Sequence, residues 1–256
     1  MLNASSISAY ELGLWIYAAA TLATFGMLSF ISAPYGRHTR NRFGPMVNAT
    51  YAWCAMEAPA LIVMPYVLLS SAQRIPPASL WLMFLWCAHY FNRALVYPWP
   101  RHSEKRMIPV LIPMSASIFN IINGYTNGHG LAISGYHYGA SSVHDFRFAT
   151  GVVIFFLGAG INIHSDAVLL RLRKERGTGY HLPTDGLHRM VAAPNYLGEI
   201  LLWFGWAIAA WTTAGFLFAA YTMANLAPRA RDHLKWYLAR FPEYPTARKA
   251  LIPFVW

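Results

Sequence analysis

Apolar runs recur along this chain, each close to the twenty residues a helix needs to cross about 30 Å of hydrocarbon. Seven can be drawn, at about 10–32, 49–71, 77–97, 107–126, 146–170, 193–211 and 214–228. At a rise of ~1.5 Å per residue, each is expected to span as a helix. The expected fold class is all-α: a polytopic membrane protein, a seven-transmembrane-helix bundle with a cavity facing the cytosol. Of the 256 residues, 56% are hydrophobic and 12% charged, against about 25% charged in soluble domains. That balance excludes a disordered chain and argues against a water-soluble enzyme. With no linker, low-complexity tract or internal repeat, residues 1–256 read as a single membrane domain with a cytoplasmic tail over 229–256.

The basic residues test the span count. Seventeen of the twenty Lys and Arg fall in the loops after the first, third and fifth spans and in the tail after the seventh. The opposite loops hold Arg74, with Arg147 at the edge of the fifth span and Arg93 inside the third. The positive-inside rule then puts the N-terminus outside or lumenal and the C-terminus in the cytoplasm. A bacterial inner membrane and the endoplasmic reticulum both satisfy this. The net charge of +10 thus reflects sidedness, and nucleic acid is not an expected partner. No Lys or Arg precedes Arg37, and the first run is long enough to span, so no cleavable signal peptide is expected.

Ionisable and amide groups inside spans are costly and are functional candidates by default. Glu57, Tyr90, Arg93, Asn162, Asp166, Asn195 and Glu199 all lie toward the inner ends of their spans. No comparable set is read in the outer leaflet. The clustering predicts a pocket entered from the cytoplasm, roughly 10–12 Å deep at ~1.5 Å per residue. Asn162/Asp166 and Asn195/Glu199 are i,i+4 pairs, so each pair shares a helix face. Arg229, His233 and Tyr237 make a second stripe at the same spacing. Carboxylates, amides, arginines and a phenol facing one cavity suit a ligand with phosphates, ribose hydroxyls and an amide. The competing reading is helix–helix hydrogen bonding.

Other chemistries find no support. Cys54 and Cys87 lie in apolar runs and offer neither a disulfide framework nor a zinc motif. No H-E-x-x-H occurs, so no metal is expected. His129, His137 and His144 read as outer-loop residues. Gly177-Thr-Gly-Tyr-His-Leu182 lacks the third glycine and preceding strand of a dinucleotide fingerprint. A nucleotide would therefore be held by helix faces and loops.

Four motifs together resemble the steroid 5-alpha-reductase family. They are Gly160-Ile-Asn-Ile-His-Ser-Asp166 with Arg173; Pro194-Asn-Tyr-Leu-Gly-Glu199; Tyr244-Pro with Ala247-Arg-Lys-Ala-Leu-Ile-Pro-Phe254; and Trp53…Glu57 with His89-Tyr-Phe…Arg93…Tyr97. The match is strongest over about 145–256. The resemblance implies an integral membrane enzyme that uses NADPH to reduce the carbon–carbon double bond of a 3-oxo-Δ4 steroid. It implies that Glu57 and Tyr90 are catalytic and grip the substrate 3-keto oxygen. It implies an NADPH shell of Asn162, Asp166, Arg173, Asn195, Glu199, Arg229, His233 and Tyr237. Trp53, one turn before Glu57, is expected to line the steroid pocket. Arg173, or the loop Arg101–Arg106, is expected to select NADPH over NADH through the 2′-phosphate.

The chemistry fits these residue types independently. Hydride delivery to the β-carbon of an enone puts negative charge on the carbonyl oxygen. A phenol and a protonated carboxylic acid fixed beside that oxygen stabilise it; ketosteroid isomerase, a documented case, uses a similar pair. The expected partners are a steroid or steroid-like lipid and membrane lipids, with the chain a monomer. Met56, Asn92, His181 and the end Phe254-Val-Trp256 depart from the animal steroid reductases. They leave other lipid alkenes, polyprenols or enoyl thioesters, as alternative substrates. An isoprenylcysteine methyltransferase-like enzyme, which would bind S-adenosylmethionine, and a sterol-binding transporter are the competing readings.

Overall fold

Where the solvent is hydrocarbon, a chain must satisfy its own backbone, and the computed structural model is built almost wholly of helices. It describes residues 4–33, 44–71, 75–101, 106–134, 145–177 and 179–256. The helices are α1 (Ala4–Phe30), α2 (Ala49–Ser71), α3 (Pro77–Phe91), α4 (Pro98–Arg101), α5 (Leu111–Ser134), α6 (Phe146–Arg176), α7 (Pro194–Ala210) and α8 (Thr213–Arg240). A π-helical turn, Asn92–Val96, joins α3 to α4 and carries Arg93. Among the described residues, three helices are long and apolar enough to cross a membrane: Ser8–Phe30 within α1, α2 and α6. At 15 and 17 residues, α3 and α7 fall short of the ~20 of a full span. Buried polar side chains lower the hydropathy of α5 and α8, among them Asn123, Asn127 and Thr222.

Two boundaries differ from the sequence reading. Helix α8 runs unbroken from Thr213 to Arg240 with Pro228 inside it, so 229–240 continue the last helix and do not form a separate tail helix. Helix α5 continues to Ser134, which places His129 in a helix, 7% exposed, and not in a loop. His137, His144, Arg37, Arg40, Arg42, Arg74 and Lys105 lie outside the described residues.

Helices α6 and α7 approach until their backbones touch. Gly151 and Gly158 on α6 face Gly205 and Gly198 on α7, each pair seven residues apart. A Cβ on Gly158 would stand 2.3 Å from Leu202 N, and one on Gly198 2.4 Å from Asn162 N. Only glycine permits this approach, and it brings Asn162 against Asn195 and Glu199. On the other side, Gly124 and Gly128 of α5 meet Val63, Met64 and Val67 of α2 in the same way. Between them Trp86, Trp203, Trp206, Tyr90 and Phe218 form an aromatic core. The indole N–H of Trp86 donates to Ala60 O at 2.8 Å, so no polar edge is left unsatisfied there.

Among the described residues the one sheet is a two-stranded antiparallel ribbon, β1 (Met46–Asn48) on β2 (Met107–Pro109), with Val47 opposite Ile108. Asn48 then accepts from Thr50 N at 2.9 Å, which caps α2. At the other end of the sequence, Ala192 N donates to Lys249 O (2.8 Å) and Lys249 N to Met190 O (3.0 Å). The segment after α8 thereby straps down the loop that leads into α7.

Candidate active site

Two cavities meet in the half of the bundle that carries Arg106 and the last turns of α8. One is polar, and its walls include Arg93, Arg106, Asn162, Asp166, Arg173, Asn195, Glu199, Arg229 and His233. The other is apolar, with Leu28, Ala49, Met56, Ile108, Ile112 and Ala116 in its walls. Trp53, Arg106 and Arg229 line both and form the partition between them.

Each wall of the polar cavity follows from a helix face. Asn162 Nδ2 donates to Asn195 O (2.9 Å) and to Glu199 Oε2 (3.0 Å). Asn195 Nδ2 donates to Asp166 Oδ1 at 3.2 Å. The two i,i+4 pairs therefore interlock across the glycine seam, as shared faces allow. Glu199 is a hub: its Oε1 also accepts from Trp203 Nε1 (3.1 Å) and faces His89 Nε2 at 3.2 Å. Arg229 donates to the Tyr196 hydroxyl (2.8 Å) and to Asn225 Oδ1 (3.0 Å). His233 packs its ring on Tyr196, centroids 5.1 Å apart. Of the stripe on α8, Arg229 and His233 reach the cavity. Tyr237 is buried one turn on, stacked on Tyr244 at 5.3 Å and 10°.

Neither Glu57 nor Tyr90 is among the residues lining these two cavities: Glu57 follows Trp53 by one turn on α2, and Tyr90 lies in the aromatic core on α3. Arg93 Nη2 lies 3.8 Å from Glu57 Oε1. The same guanidinium sits 4.1 Å from the Tyr97 ring centroid and 5.1 Å from that of Trp53. The two rings pack on each other at 5.3 Å and the cation rests against both, a contact that favours it. Tyr90 is 4% exposed, packs on Trp86 and His89, and lies within electrostatic reach of Glu57, Glu199 and Arg93. Met56, next to Glu57 in the chain, lines the apolar cavity.

Sequence reasoning gave no role to His89 or to three buried asparagines of α5. Asn120 Nδ2 donates to Met56 O at 2.6 Å. Asn123 and Asn127 are fully buried in the half of α5 where no polar set was expected. Their spacing, 120, 123 and 127, is that of one helix face and was the available signal. Beneath the cavity, His188 Nε2 meets Ser165 O at 3.3 Å. Burial strips the imidazolium of water and lowers the His188 pKa to about 4. No group of three or more His, Cys, Asp or Glu suited to a metal is present among the described residues.

Comparison with known proteins identifies the family. Residues 106–256 match the family model for 3-oxo-5-alpha-steroid 4-dehydrogenase. The chain is 39% identical over 239 residues to steroid 5-alpha-reductase DET2 of Gossypium hirsutum, covering 92% of this chain and 93% of the relative. It is 40% identical over 236 residues to the protein of the same name in Arabidopsis thaliana, with 90% of each covered. It is 39% identical over 245 residues to 3-oxo-5-alpha-steroid 4-dehydrogenase 1 of Homo sapiens, covering 94% and 93%. The chain, with its paired cavities and glycine-seamed helices, belongs to the 3-oxo-5-alpha-steroid 4-dehydrogenase family of oxidoreductases.

Proposed function

We propose that this protein reduces the Δ4 double bond of 3-oxo-Δ4 steroids to 5α-3-oxosteroids with NADPH. The observation that carries the reading is the pair of cavities, one polar and cationic, one apolar, sharing Trp53, Arg106 and Arg229. A charged dinucleotide and a flat lipid need such neighbouring, unlike compartments. The donor set fits the cofactor. Arg106, Arg173 and Arg229 offer charge to phosphates, the 2′-phosphate included, and Asn162, Asn195 and Asp166 offer amides and a carboxylate to ribose and carboxamide. Glu199 orients Asn162 and His89, and His233 closes the wall. Tyr237, beneath them, supports the α8 stripe.

NADPH, when bound, supplies the hydride for the β-carbon of the enone. The protein handles the other end of the conjugated system. Glu57, as the acid, and the Tyr90 phenol donate to the 3-keto oxygen, on which negative charge gathers as the double bond is lost. Trp53 lines both cavities, and the apolar one would take the rings of the lipid. All of these donors sit in a low-dielectric interior, where fixed hydrogen bonds count for more than in water.

The test is a substrate panel with purified protein in detergent: NADPH oxidation and product identification with testosterone, progesterone and other flat enones. The reading expects 5α-reduced products. It fails if no enone is reduced, or if the protein retains S-adenosylmethionine and not NADP(H) by mass spectrometry. We further propose that seven helices, α1, α2, α3 with its π-helical turn, α5, α6, the shorter α7 and α8, span the membrane as one domain, with the cavity on the cytoplasmic side. A reporter fused to the C-terminus is expected to read as cytoplasmic; an extracytoplasmic signal contradicts that orientation.

A further inference from the structure

Three buried polar side chains of the bundle connect to Tyr90. Tyr17 of α1, Asn123 and Asn127 of α5 and Tyr90 of α3 are each at most 4% exposed, and they form one hydrogen-bonded chain. Asn127 Nδ2 donates to Asn123 O at 3.0 Å and to Asn123 Oδ1 at 2.8 Å. The Tyr17 hydroxyl donates to the same Oδ1 at 2.9 Å. Asn123 Nδ2 then reaches the Tyr90 hydroxyl at 3.3 Å.

The direction of this chain is fixed by elimination. The carbonyl of Asn123 can only accept, so the Asn127 atom facing it is the NH2 nitrogen. That nitrogen also faces the Asn123 side chain, so the side-chain atom there is the acceptor, Oδ1. The NH2 of Asn123 must therefore point at Tyr90, whose oxygen accepts. Among the described residues no acceptor takes the Tyr90 hydroxyl hydrogen. A phenol that accepts on one side keeps its hydrogen for another direction.

One further observation separates this from ordinary packing. Asn127 Oδ1 is buried and has no partner among the described residues. An orphaned acceptor costs about 1–3 kcal/mol, and a leucine would fill the space without it. What an amide offers here and an apolar side chain does not is its NH2 group, which sets the polarity of Asn123.

We infer that Asn123, anchored by Asn127 and Tyr17, is a positioning residue that holds the Tyr90 hydroxyl with its hydrogen free to donate to the substrate ketone. This rests on the reading of Tyr90 as a donor to the 3-keto oxygen. With Asn123 replaced by an apolar side chain, the Tyr90 hydroxyl is free to rotate and its donation is no longer preset. Amides do not pass protons along, so the chain orients the phenol and does not feed it.

The experiment compares Asn123→Leu, Tyr17→Phe and Tyr90→Phe, and each of the first two combined with Tyr90→Phe. The readouts are kcat and KM for a 3-oxo-Δ4 steroid, NADP(H) retention and melting temperature. Asn123→Leu is expected to lower kcat about tenfold to a hundredfold, a misplaced donor costing less than a deleted one. KM for the steroid and NADP(H) retention should hold. Tyr17→Phe, which removes one of two anchors, should lower kcat severalfold, about 2–5-fold, and it decides the matter if Asn123→Leu does not fold. In the Tyr90→Phe background neither change should lower the residual rate further. A purely structural role predicts the opposite: lower melting temperature, and the same rate loss with or without the phenol. Full activity in Tyr90→Phe overturns both the donor reading and this assignment. A depressed Tyr90→Phe beside unchanged Asn123→Leu and Tyr17→Phe overturns this assignment alone.

Discussion

Arg93 connects the wall of the polar cavity to Glu57 through a single side chain. Its guanidinium rests against the paired rings of Trp53 and Tyr97 and reaches Glu57. Its placement depends on the π-helical turn, which adds a residue to the helix and re-aims everything after it. His188 belongs to the same scale and gives a measurable consequence. Folded, it stays neutral down to about pH 4; unfolded, it titrates near 6.5. Between those values the unfolded chain binds more protons, so stability is fully present above about pH 6.5 and is lost as the pH falls toward 4. The loss should reach ~3 kcal/mol. Melting of detergent-solubilised protein across this window should show it, with a flatter profile for His188→Phe. Equal slopes in the two proteins would contradict the assignment.

Between helices the decisive contacts are backbone to backbone. Gly158 has no room for a Cβ, whereas Gly160, two residues away on the same helix, has nothing within 4 Å. Gly158→Ala should destabilise by about 1–3 kcal/mol and loosen NADPH binding, since Asn162 and Asn195 would move apart. Gly160→Ala should be neutral or stabilising by up to ~1 kcal/mol. Melting temperatures of the two variants test this, and equal effects would dismiss the seam. The helices themselves were legible because hydrophobic runs of twenty residues admit few folds. The i,i+4 pairs on α6 and α7 were legible because spacing reports a shared face. What lay beyond reach was pairing across helices: that Glu199 would meet His89, or Asn123 meet Tyr90, depends on crossing geometry that one sequence does not carry. The end of α5 beyond residue 126 was missed for a simpler reason. Asn127 and His129 depress hydropathy there, so a polar stretch that is buried reads as a loop. Pro228 misled similarly. It reads as a helix end, yet α8 passes through it, as α2 passes Pro59 and Pro65.

At the scale of the whole molecule, the bundle sorts chemistry by compartment. Basic residues crowd one side in the sequence, the polar cavity opens among them, and the apolar cavity lies beside it, lined by α1, α2, α5 and α8. Glu57 follows Trp53 of the shared wall by one turn of α2, and Tyr90 lies in the aromatic core. The most direct measurement is a structure of the protein with NADP⁺ and a 3-oxo steroid bound. It should show the 3-keto oxygen within hydrogen-bond distance, ~2.6–3.2 Å, of both Glu57 and Tyr90, with the steroid rings in the apolar cavity and the dinucleotide among Asn162, Arg173 and Arg229. A ketone bound away from that pair, or the two side chains too far apart for one oxygen to bridge, would contradict the account.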